Sequence, residues 1–180
     1  MKQVASLKAL LAVTLVLASR SVAEPVTAEE QSKLDPKVAA LKAWSTTPEI
    51  VAAVKAHNAK PEHPEFTNES WKALTVLDPA VRAYQQNPVA IWIKAHKDEA
   101  ATEAFVSGSD GTKVAFLTKP TNWSHAGKPK HDKPMAGKSW QGEVEVDAST
   151  GARQVQVSVP VLDGTKPIGS IVVGFAASKL

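Results

Sequence analysis

Between Thr118 and Ser139 the sequence gathers side chains that could do chemistry. His125, His131 and Met135 fall in this one segment and could ligate copper or an axially held haem, although their spacing matches no established ligand motif. Lys128, Lys130 and Lys133 add cations. If the segment caps a pocket, these favour an anionic ligand such as a carboxylate; otherwise they are a solvated loop surface. Trp123 and Trp140 bracket the lysines, each offering a flat apolar wall and one N–H donor. Ser124, His131 and Asp132 have the composition of a nucleophile triad, which means nothing without geometry.

Elsewhere the sequence argues against catalysis. With no cysteine it cannot use disulfides, thiolates, iron–sulfur clusters or covalently attached haem. No Gly-x-Ser-x-Gly elbow, phosphate loop or HExxH occurs, so the chain reads as no enzyme, with no cofactor. His57, His63 and His96 take helix-end or surface positions, and Asp110 and Asp163 read as turn residues beside glycine.

Residues 1–23 read as a secretory signal peptide. Lys2 and Lys8 precede the apolar run Ala9 to Ala18, and Ser21-Val22-Ala23 gives a small-x-small cleavage site. The run is about half of the roughly 20 residues that span a bilayer. Cleavage removes Lys2, Lys8 and Arg20 and no acid, leaving 18 cations against 18 acids. The basic balance of the whole chain therefore carries no message about nucleic acid. The expectation is a protein of the periplasm that is not integral to the membrane.

The elements that must position these side chains fall into two halves. Residues 24–34 are polar, acidic and weakly periodic, and read as a lead-in prone to disorder. Asp35-Pro36 opens a helix with Val38, Leu41 and Trp44 on one face, and Thr47-Pro48 opens another with Ile50, Val51 and Val54. Thr67 caps a third with Trp71, Asp78-Pro79 starts a fourth, and Val89, Trp92, Ile93 and His96 mark a fifth. Trp44, Trp71 and Trp92 lie on helical stripes and belong to a core.

From Glu103 the period becomes two. Strands around Phe105 and Val114–Leu117 flank Ser109-Asp110-Gly111, Val144 and Val146 mark another, and Thr118–Ser139 is a long functional loop. The last two strands form a hairpin about Asp163-Gly164, with Val155, Val157, Val159 and Val161 on one face and Gln154, Gln156, Ser158 and Pro160 on the other. Helices first and about five antiparallel strands after them make an α+β domain over 35–180.

Several stretches in this order resemble the PDC or Cache sensor domains, extracytoplasmic relatives of PAS domains. They are PEIVAAVKAHN (Pro48–Asn58) with ESW (Glu69–Trp71), FVSGSDGTKVA (Phe105–Ala115), PTNW (Pro120–Trp123) and VSVPVLDGTKPIGSIVVGF (Val157–Phe175). The last is the most specific. The resemblance implies a PAS-like five-stranded antiparallel sheet, helices packed on one side, and a small-molecule pocket under the long loop. Where such sensors often carry acidic residues for ligand amines, this chain has His125, Lys128, Lys130 and His131, so amine binding is not carried over. Such domains usually sit between two membrane helices of a receptor or kinase; here a signal peptide stands in place of the first and the sequence ends after the last strand.

The resulting expectation is an exported, free-standing sensor module that binds a small polar, anionic metabolite and acts through a membrane receptor or kinase. Trp123 would stack on the ligand, His125 and His131 would hydrogen-bond or charge-pair with it, and Lys130 would supply a cation. Trp140 would line the site and Ser158 would act from the polar face of the sheet. The alternatives are an adaptor with no ligand and a metal or haem carrier through His125, His131 and Met135.

Overall fold

The computed structural model describes residues 23–60, 66–147 and 151–180. All but the last residue of the expected signal peptide, and His63, lie outside them. Helix α1 spans Ala28–Ala43, and a short 3-10 turn leads to α2 (Pro48–Asn58). Next come α3 (Asn68–Ala73), α4 (Pro79–Gln86) and α5 (Pro88–His96). Strands β1 (Ala101–Gly108) and β2 (Lys113–Phe116) follow, then α6 (Pro129–Met135), β3 (Trp140–Val146), β4 (Arg153–Asp163) and β5 (Lys166–Ala176). The expected α+β class is what the chain adopts.

The start of α1 corrects the sequence reading. The helix begins at Ala28, so most of the supposed lead-in is its first two turns. Thr27 and Glu30 cap it reciprocally: the Glu30 amide donates to the Thr27 hydroxyl at 3.2 Å, and the Thr27 amide donates to the Glu30 carboxylate at 2.8 Å. Asp35-Pro36, a plausible start signal, sits mid-helix, where the Gln31 side-chain amide donates to the Asp35 carboxylate at 2.7 Å. Packing of Leu34 and Leu41 offsets the hydrogen bond that Pro36 cannot make. The starts at Pro48, Pro79 and Pro88 follow the rule that proline suits the first helical turn.

The five strands form one antiparallel sheet in the order β2-β1-β5-β4-β3. The last strand in the sequence is thus the central one. Its outer neighbours pair with it along most of its length, with Val172 opposite Phe105 on one side and Ser158 on the other. One face carries Val155, Val157, Val159, Val161, Ile171 and Val173, and is covered by α1, α2 and α5 through Leu34, Leu41, Ile50, Val54 and Ile93. Helices α3 and α4 instead join the opposite face, where Trp71 and Val81 pack with Phe105, Phe116 and Val172. The helices therefore cover both faces, a departure from packing on one side only. Trp71 is fully buried and its indole N–H donates to the Pro120 carbonyl at 2.7 Å, while Trp44 and Trp92 are half-buried in an edge-on pair. No helix among the described residues is long and apolar enough to cross a membrane.

Candidate functional site

The second face of the sheet is where polar side chains accumulate under cover. Cross-strand partners point to the same side of a sheet, so the pairings place Glu103, Phe105 and Ser107 of β1 on one surface with Ser170 and Val172 of β5 and Ser158 of β4. Gln154 and Gln156 follow by the two-residue period of β4. Between Glu103 and Gln156 the central strand has Gly174. A Cβ there would collide with the Gln154 side chain, so this glycine leaves the path by which both glutamines reach across β5.

They converge on one carboxylate. Gln154 donates its amide N–H to Glu103 Oε1 at 2.6 Å, Gln156 donates to the same oxygen, and Thr102 donates to Gln154 Oε1. From α6, Lys130 Nζ donates to Gln156 Oε1 at 2.5 Å. The chemistry fixes the direction of this chain. An ammonium only donates and a carboxylate only accepts, so Gln156 must turn its oxygen to Lys130 and its N–H to Glu103. Burial pushes the Glu103 carboxyl up, helped by nearby Asp147 and opposed by Gln156, Lys130 and Gln154. Burial pushes the Lys130 ammonium down, and Glu103, Asp147 and Glu145 resist that.

These groups surround a cavity of about 250 Å³. Glu103 and Gln156 form its floor on the sheet, Glu145 and Asp147 stand at the end of β3, and His125 and Lys130 come from the segment that crosses over. His125 lies flat on Phe105, ring centres 4.9 Å apart. Its pKa is pushed down to about 2, first by burial and then by the charges of Lys113 and Lys130, so the imidazole is neutral. Its Nδ1 is buried and has no hydrogen-bond partner among the described residues. Lys113 is fully buried, donating to Ser107 Oγ and to the Gly111 carbonyl, each at 3.1 Å, with its Nζ 4.7 Å from the Phe105 ring centre, and burial pushes its pKa well down.

Of the six expected contacts, His125 and Lys130 line the cavity and the others do not. Trp123 does not offer a stacking wall: it is 1% exposed, wedged against Phe66, Trp71 and Tyr84 with ring centres about 5 Å apart. His131 is a clamp rather than a ligand group. Its Nε2 lies 3.3 Å from the Ser109 carbonyl, which only accepts, so Nε2 donates there and Nδ1 takes the Ser170 hydroxyl at 2.9 Å. Burial lowers its pKa, as it does that of His125, which disfavours the charged form of both histidines. Trp140 is half-buried at the start of β3, beside a separate small cleft. Ser158 does lie on the polar face, fully buried, and its Oγ has no partner among the described residues.

The metal alternative loses its ligand set, because both nitrogens of His131 are engaged and Met135 opens on another cavity, beside Lys166 and Ile168. The expected loop over Thr118–Ser139 holds α6, whose Pro129 again occupies a first turn. Lys128 and Lys133 are exposed, leaving Lys130 as the loop's one cation at the cavity.

Glu103, Glu145 and Asp147 escaped the sequence reading. The available signal was an acid at the head of an otherwise apolar strand, and two glutamines alternating with valines in β4. Thr121 and Asn122, quoted above within PTNW, also line the cavity.

No family model matches the sequence, and no curated protein sequence matches it significantly. Among solved structures the chain is similar to the sensor domain of the histidine kinase DctB of V. cholerae, with a TM-score of 0.47 and 19% identity, over 84% of this chain and 56% of that one. It is also similar to the ligand-binding domain of the Pseudomonas aeruginosa amino acid chemoreceptor PctC, determined with GABA (TM-score 0.35, 16% identity, 80% of this chain and 61% of that one). A third is the ligand-binding domain of Mlp24, determined with asparagine (0.36, 19%, 83% and 58%). The chain spans less than two thirds of the length of each.

Proposed function

We propose that this chain is an exported sensor-type domain of the PDC/Cache kind that binds a small polar molecule carrying positive charge, in the cavity between β1, β4 and the segment bearing α6, and acts through a partner. The observation that carries the reading is the lining. Among the described residues, three carboxylates, Glu103, Glu145 and Asp147, line the cavity with a single ammonium, Lys130, over a floor of oriented side-chain amides. A volume of about 250 Å³ falls just below the roughly 300–1,000 Å³ of drug-sized sites, which suits a metabolite of a few heavy atoms. The balance of charge favours a cation over the anion that the loop lysines suggest. No nucleophile activated by a base lines the cavity among the described residues, which supports binding over catalysis.

The test is a thermal-shift screen of the protein against amines, amino acids, organic acids and purines, repeated with Glu103→Gln. A ligand that binds only the folded state at 100 times its Kd stabilises it by about 2.7 kcal/mol. The expected result is a shift with cationic compounds that disappears in Glu103→Gln. A shift with dicarboxylates alone would overturn the charge assignment, and no shift with any compound would favour an adaptor that recognises a protein partner.

A further inference from the structure

Lys130 is the single cationic side chain lining this cavity among the described residues, and its ammonium lies within the acidic lining, where it competes for the groups that would hold a ligand's ammonium. Gln156 Oε1 accepts from it at 2.5 Å, and Glu103, Glu145 and Asp147 supply the surrounding negative charge. The backbone that carries it is held in place by the next residue, since His131 ties α6 both to Ser170 of β5 and to the Ser109 carbonyl. A charge on so short and fixed a tether competes at an effective concentration that a dissolved amine must overcome. We infer that Lys130 is an internal competitor that sets specificity: the cavity excludes singly charged amines and admits organic dications, whose second charge compensates for the contact they displace. The inference rests on the binding reading given above.

Two amines of equal carbon number isolate the charge, 1-aminobutane and 1,4-diaminobutane, titrated calorimetrically into the wild-type protein and Lys130→Met. Wild type is expected to bind the diamine at least tenfold more tightly than the monoamine. Lys130→Met, which keeps the length of the side chain and removes the charge, is expected to bind the monoamine at least tenfold more tightly than wild type does and so to narrow the ratio. Lys130→Arg should retain the wild-type ratio, and Lys130→Gln replaces the methionine variant if that one does not fold. A monoamine affinity in the neutral variants that is unchanged or weaker overturns the competitor role. Silence of both amines in every variant also overturns it. In that case a shift of wild type by another compound of the wider screen would leave the cavity's binding role standing, whereas a silent screen would remove both.

Discussion

Both faces of the sheet bury side chains, and they differ in what that burial costs. On one, Val155, Val157, Val159, Ile171 and Val173 pack against α1, α2 and α5, and removing them from water stabilises the fold by roughly 25 cal/mol per Å² of apolar surface. On the other, Glu103, Lys113, Gln154, Ser158 and Ser170 are no more than 3% exposed, and each polar atom that leaves water unpaired costs about 1–3 kcal/mol. Hydrogen bonds meet most of that demand: Gln154 and Gln156 donate to Glu103, Lys113 donates to Ser107 and the Gly111 carbonyl, and Ser170 pairs with His131. Trp123 Nε1, His125 Nδ1 and Ser158 Oγ remain without partners among the described residues, and all three belong to this second side of the sheet. The first face is built from valine and isoleucine under the helices; the second combines the aromatic cluster around Trp71 and Trp123 with polar groups kept in reach of a cavity.

Substitutions that test this contrast should differ in size and in sign. Ile171→Ala, in the centre of the apolar face with no exposed surface, should cost about 2–5 kcal/mol in urea unfolding, as large-to-small core changes do; a loss under about 1 kcal/mol would mean that the helices do not pack as described. Smaller is the effect of acid. Below pH 6.5 the unfolded chain protonates His125 while the native chain, with a pKa near 2, refuses the proton. That steepens the loss of stability on acidification by up to about 1.4 kcal/mol per pH unit, and His125→Gln should flatten it in unfolding curves taken from pH 7 to 5. Glu103 acts with the opposite sign: its raised pKa adds stability below its ordinary value of 4.5, and that stability is lost as pH rises through the native value. Smallest is Ser158→Ala. Removing a buried hydroxyl that has no partner should be neutral or stabilising by up to about 1 kcal/mol, whereas a loss above 1 kcal/mol would show that Ser158 makes a bond the geometry does not contain.

Much of the framework was legible. The Thr47-Pro48 and Asp78-Pro79 starts, the Thr67 cap, the hairpin turn after β1 and the alternation of Val155 to Val161 each follow from local backbone chemistry and appear in the structure. The start of α1 was misread because Asp35-Pro36 imitates a cap, while Thr27 and Glu30, eight and five residues earlier, close the real one. Of the expected contacts, His125 and Lys130 lie on the cavity lining, where residue type and loop position had suggested a pocket. Trp123 was misplaced because an indole reads alike whether it faces a ligand or the cluster of Phe66, Trp71 and Tyr84.

What the sequence determined by itself is whatever a few neighbouring residues can enforce: helix starts, the hairpin turns, and which face of β4 is apolar. The tertiary structure alone decided that β5 lies between β1 and β4, and so that Glu103 meets Gln154 and Gln156 across Gly174, some 50 residues away in sequence. Such a meeting depends on the register of three strands at once, and hydrophobic period and turn chemistry each report on only one strand or one hairpin at a time.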